Sequence, residues 1–150
     1  MFLLAGVGSG VYNVVLILHI LSVLIAFAPA VVHPLASSRL ANDEHGLRSF
    51  AAAAVINTRT IHLPALVAVG VLGFALVGVS DKAYKYTDPW VVISIVLWLA
   101  IAGLISALVL PGDRAIAAGE PGGESKVQLG GGIVALLLLV VVVLMVVKPS

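Results

Sequence analysis

Apolar residues gather into four long runs, at residues 11–32, 61–79, 89–110 and 129–147, with polar residues largely confined between them. Each run is about as long as the roughly 20 apolar residues that a helix needs to cross a bilayer, and far too long for a strand. The pattern predicts an all-α chain: one domain over residues 1–150, folded as a four-helix bundle of four transmembrane helices. Within the first run the less apolar positions form a stripe. Tyr12, His19, Ala26 and His33 follow one another at intervals of seven residues, and at about 3.6 residues per turn they return to nearly one face. Ser22 and Pro29 lie beside that stripe. A helix in lipid turns such a face toward protein or a cavity, so this span is the expected carrier of any chemistry.

The remaining punctuation predicts the connections. Residues 1–10 hold Gly6, Gly8, Ser9 and Gly10 and read as a loose, interfacial start. Pro34 lacks an N–H and disfavours helix at His33, so the first span is expected to end there. Residues 35–59 form the longest and most polar connection. Asn42-Asp43-Glu44 is a plausible helix start within it. Leu47, Phe50, Ala51, Ala54 and Val55 form an amphipathic pattern, either an interfacial helix or the protruding first turns of span two. Pro64 would free the Thr60 carbonyl and kink a continuous helix. Gly70, Gly73 and Gly78 either allow close helix approach or leave space for a flat ligand. Lys82, Tyr84, Lys85, Tyr86 and Trp90 read as an interfacial anchor. Residues 111–127 read as a flexible loop. Span four, almost all Leu and Val, has no ionisable residue before Lys148 and is expected to face lipid.

Composition agrees. The chain is 61% hydrophobic and only 10% charged, with a mean hydropathy of +1.20, against roughly 25% charged residues in a soluble domain. A net charge of +1 carries no nucleic-acid footprint. With no cysteine, thiolate metal sites, cysteine nucleophiles and disulfides are excluded. No Lys or Arg precedes Arg39, so the charged start of a signal peptide is missing and the first run reads as a retained span. Arg39, Arg48, Arg59, Arg114 and Lys126 fall in the first and third connections. Lys82, Lys85 and Lys148 lie on the other side. This asymmetry predicts both termini outside the cell (inner) membrane.

Histidines are the candidates for chemistry. His19 lies near the middle of its span, where an ionisable group needs a partner. It is either a neutral imidazole bonded to a carbonyl or hydroxyl on another helix, or a ligand. His33 ends span one and His62 begins span two, which puts both at one membrane face. Neutral imidazole binds haem iron or copper, so a site shared by these two is one reading and two interfacial histidines the other. His62 and Gly73 are eleven residues apart, on one face, and Gly73 is expected at the depth of His19. Arg48 and Arg59 suit lipid headgroups or haem propionates, and topology determination suits them better. Asp43, Glu44 and His45 point in different directions and read as solvated. Gly6–Gly10 is no nucleotide loop, since no Lys follows. The expected absence of a carboxylate from every span argues against a proton-coupled carrier.

Leu18-His19 followed by small residues, then Arg39, then a span that opens with Pro64 and continues to Gly70, resembles a group of small bacterial membrane proteins. The group includes a family of predicted four-span integral membrane proteins, with CopD-type copper-resistance proteins and HemJ-type protoporphyrinogen oxidases as distant relatives. The resemblance covers residues 11–78. It implies the four-span fold and, by analogy with the HemJ-type proteins, a role for His19 in haem-linked activity. Phe27-Ala28-Pro29 stands where those proteins often carry Trp-x-Gly. Three functions remain open. The first is a haem- or metal-binding membrane protein of respiratory or haem metabolism, with His19 and His62 as leading ligands and His33 in reserve. The second is a non-catalytic accessory subunit that packs against a larger membrane complex, or against its own copies, through glycine-rich faces. The third is a small transporter.

Overall fold

The computed structural model describes residues 6–149, and all its regular structure is helical. Helix α1 spans Gly10–Arg39. Helix α2, Glu44–Asn57, passes through a π-turn at Thr58–His62 into α3, Leu63–Gly78. Helix α4, Pro89–Leu104, passes through a second π-turn at Ile105–Val109 into α5, Leu110–Ala118, and α6 spans Gly123–Val147. The result is four rods of 30, 35, 30 and 25 residues, each long and apolar enough to cross a bilayer. This is the four-helix membrane bundle that the apolar runs predict. The first half of the expected loose start lies outside the described residues. At Ser9 the hydroxyl accepts the Tyr12 N–H at 3.2 Å and caps α1.

The rods overrun the expected limits because proline acts differently here than it would in a short soluble helix. Pro34 does not end α1, which continues to Arg39 and contains both Pro29 and Pro34. In a span, neighbouring helices re-satisfy the carbonyls that proline leaves free. Pro64 and Pro111 each follow a π-turn by two residues. There the Leu63 N–H bonds to the Thr58 carbonyl and the Leu110 N–H to the Ile105 carbonyl. The wider turn absorbs the missing donor, so each rod continues through its proline.

Two expectations about the connections are corrected, and one open alternative is decided. The long polar connection shrinks to the few residues between Arg39 and Glu44, with Asp43 capping α2 through a 2.9 Å bond from the Gly46 N–H. The amphipathic stretch that follows is the protruding start of the second rod. The expected flexible loop at 111–127 is mostly helix: α5 runs to Ala118, Gly119 closes it in the left-handed conformation at φ 71°, and α6 begins at Gly123.

Helix α1 packs along α3, α2 along α5, and α6 along the α4–α5 rod. Ala26, Phe27, Leu66, Val69, Ile101 and Val134 form the shared core. The stripe on α1 is its inward face: Tyr12, His19 and Ala26 are all buried. Large apolar residues such as Val31, Leu139 and Val146 point outward, as they must where lipid is the solvent.

Candidate functional site

At the end of the bundle where α1 begins and α6 stops, the four rods enclose a cavity of about 200 Å³. Its inner part is lined by His19, Phe27, Ser94, Trp98 and Ile101, and its mouth by Tyr12, Tyr84, Trp90 and Lys148. The lining is otherwise apolar. The period-seven stripe of α1 brings Tyr12 and His19 to this space. On α4, Trp90, Ser94, Trp98 and Ile101 follow one another at intervals of three or four residues, so one helix face carries them all.

His19 is 5% exposed and its ring lies beside the Val69 backbone on α3, but its Nδ1 has no hydrogen-bond partner that meets bonding geometry. Ser94 is likewise buried with an unpartnered hydroxyl. A buried polar group without a partner costs about 1–3 kcal/mol, so two of them on one apolar cavity are unusual. Trp98 is held firmly. Its Nε1 donates to the Leu66 carbonyl at 2.9 Å, and its ring lies on Gly70, where a Cβ would come within 2.5 Å of Cζ2. Gly73 faces His19 as expected, with a would-be Cβ 3.4 Å from Cε1.

The mouth is built by the loop after α3. Ser80 is buried, donates to the Val77 carbonyl at 2.7 Å and accepts the Tyr84 N–H at 3.1 Å. Tyr86 donates to the Phe74 carbonyl at 3.1 Å. Tyr84 packs edge-on to Trp90 with ring centroids 5.3 Å apart. Lys148, just past α6, donates to the Tyr84 hydroxyl and lies 4.3 Å from its ring centroid and 5.7 Å from that of Trp90.

The other histidines are engaged elsewhere. His62 Nδ1 lies 2.8 Å from the Ile25 carbonyl; a carbonyl only accepts, so Nδ1 carries the proton. His33 Nδ1 lies 3.7 Å from Asp113 Oδ1, and its ring meets Phe50 edge-on at 5.3 Å. His45 is exposed in the first turn of α2. His19 sits opposite Gly73, eleven residues beyond His62, a separation of about 16 Å along the rod. One iron therefore does not bridge His19 and His62. Among the described residues no three His, Cys, Asp or Glu side chains converge on a metal position. The glycine track that offered room for a flat ligand is filled by the chain's own Trp98 and His19 rings. The cavity's volume falls below the roughly 300–1,000 Å³ of sites for drug-sized ligands.

Asp113 is the residue that the sequence reading missed. It is 1% exposed, and its Oδ2 has no partner. The third span, expected to end at residue 110, continues to Ala118, because Pro111-Gly112-Asp113 looks like a turn and is instead the first turn of α5, and so a buried carboxylate enters that rod. The signal was the run Ala115-Ile116-Ala117-Ala118 behind it, a helix-forming stretch that a proline at the first turn favours. Arg48 pairs with Glu44 and lies over Gly119, while Arg59 is exposed.

Comparison with known proteins adds one finding. Residues 13–121 match the family described as predicted integral membrane protein (DUF2269). The chain belongs to that family. The match takes in α1 from Asn13 onward and all of α2 to α5, including every histidine and Asp113, and leaves α6 outside. No curated protein and no solved structure matches the chain. Four candidate spans and family membership together make it an integral membrane protein.

Proposed function

We propose that this protein binds a slender, largely apolar small molecule within the membrane, in the cavity beside His19. The observation that carries this reading is the pairing of two unpartnered buried polar groups, His19 Nδ1 and Ser94 Oγ, with an otherwise apolar cavity. Sites for small molecules have this composition: mostly apolar walls and a few polar groups that fix orientation. A dry apolar cavity of about 150 Å³ already admits benzene, so the space suits a single ring or chain. A haem is disfavoured by the filled glycine track, and an absorption spectrum of detergent-purified protein tests that directly, since bound haem gives a Soret band.

Native mass spectrometry of protein purified in mild detergent tests the main reading. The wild type should carry a small molecule in near-equal amount. Ser94→Leu, which fills the cavity with apolar bulk, should remain folded and lose it. Equal loading of both proteins would overturn the proposal.

A second reading has its own support. A Cβ added at Gly103, Gly131 or Gly132 would meet nothing within 4 Å. These glycines lie open on α4 and α6, where small residues let another helix approach closely. Packing against a second copy or a larger membrane complex would use such open positions, and crosslinking through Cys placed at Gly132 in native membranes tests it.

A further inference from the structure

The cavity is long and narrow, and its two ends differ in chemistry. Its walls run from Tyr12 to Phe27 on α1 and from Trp90 to Ile101 on α4, which at the helical rise correspond to about 22 Å and 16 Å. The space between these walls is elongated, and α6 flanks it through Leu138, Val141 and Met145. At the mouth stands Lys148, whose ammonium has three N–H donors and gives one to Tyr84. Among the described residues no carboxylate pairs with it. Tyr84 and Trp90 hold it at the rim by their ring faces. His19 and Ser94 wait deeper; His19 is seven residues, about 10 Å, along α1 from Tyr12.

We infer that the ligand of this cavity is a single-chain amphiphile whose anionic head is held by Lys148 at the mouth. Its apolar chain runs inward past Trp90 to Trp98, and a hydrogen-bonding group part-way along meets His19 and Ser94. The inference rests on the cavity being a binding site, and it adds the charge, the orientation and the number of chains. A cation at the rim of an apolar channel favours an anion because the head stays at the polar interface while the chain is removed from water. Tyr12 and Tyr84 supply further hydroxyls at the same level.

Both tryptophans of the chain, Trp90 and Trp98, line this cavity, so intrinsic fluorescence reads its occupancy. The experiment places the full chain in phosphatidylcholine nanodiscs and titrates in a fatty acid brominated at mid-chain, which quenches tryptophan on contact. Its methyl ester and a brominated phosphatidylcholine serve as comparisons. The acid should quench saturably, and the ester should bind about tenfold more weakly, the loss of one charge-assisted hydrogen bond. Lys148→Gln should bring the acid down to the affinity of the ester, and Lys148→Arg should keep the preference. A mid-chain hydroxylated acid should compete better than the plain acid, and the advantage should vanish in Ser94→Ala. Saturable but equal binding of acid and ester would overturn the amphiphile inference and leave the cavity reading standing. Quenching by brominated phosphatidylcholine as strong as that by the acid would identify ordinary surrounding lipid and overturn it too. No saturable quenching by any probe would remove both.

Discussion

His62 donates from Nδ1 to the carbonyl of Ile25 at 2.8 Å, the carbonyl that Pro29 leaves without an intrahelical donor. In lipid no water can take that position, so a side chain from the second rod completes the backbone of the first. His62 is therefore a helix-repairing residue, and its partner is set by a proline four residues further along α1.

This pairing predicts a dependence between two positions. His62→Ala should lower the thermal stability of the detergent-purified protein, with a cost of about 1–2 kcal/mol. Pro29→Ala restores the Ile25 carbonyl's own donor, so the same His62 change should cost much less in that background. Equal losses in both backgrounds, measured by a thermal-unfolding double-mutant cycle, would refute the assignment.

His33 and Asp113 predict a second coupling. Removing the imidazole with His33→Ala takes away the neighbour of the buried carboxyl's Oδ1 and should destabilise by about 1–3 kcal/mol. Asp113→Asn keeps the shape without the charge and should be tolerated. The His33→Ala penalty should then shrink when it is combined with Asp113→Asn. Unfolding midpoints of the wild type, the two single variants and the double variant give the answer.

The glycines divide by what stands in front of them. Gly70→Ala forces a Cβ against Trp98 and should cost about 1–3 kcal/mol, the usual range for overpacking. Gly131→Ala has open space and should be neutral or stabilising by up to about 1 kcal/mol through helix propensity. A strong loss at Gly131 in native membranes, absent in detergent, would instead reveal a partner on α6.

Orientation follows the basic residues. Arg39, Arg48, Arg59, Arg114 and Lys126 belong to the end of the bundle opposite the cavity mouth, so that end is expected to face the cytoplasm and both termini to face out. Reporter fusions after Ser150 and within residues 118–123 check this. A cytoplasmic C-terminus would invert the bundle, and the cavity would then open to the inside.

The sequence by itself determined the class, because apolar runs of membrane length leave the chain no other solvent and no other backbone solution. It also determined which face of α1 turns inward, since a period of seven is a property of one helix alone. Gly73 at the depth of His19 followed from the helical rise. What lay beyond it were relationships between rods. Whether Pro34 ends a helix depends on what surrounds it, and only the packed bundle shows α1 continuing and a histidine on α3's approach serving Pro29. Asp113 fell within an expected loop beside Pro111 and Gly112, and only the packing of α2 along α5 and the approach of His33 from α1 show it buried. The three histidines shared a residue type, and their separation into a cavity wall, a backbone repair and a carboxylate neighbour was decided by which helix lies opposite each. Lys148 and Trp90 are far apart in the chain and meet only because α6 returns to the end where α4 begins. Local periodicity is written in one helix, whereas a site is written in the register between helices, and that register exists only once they pack.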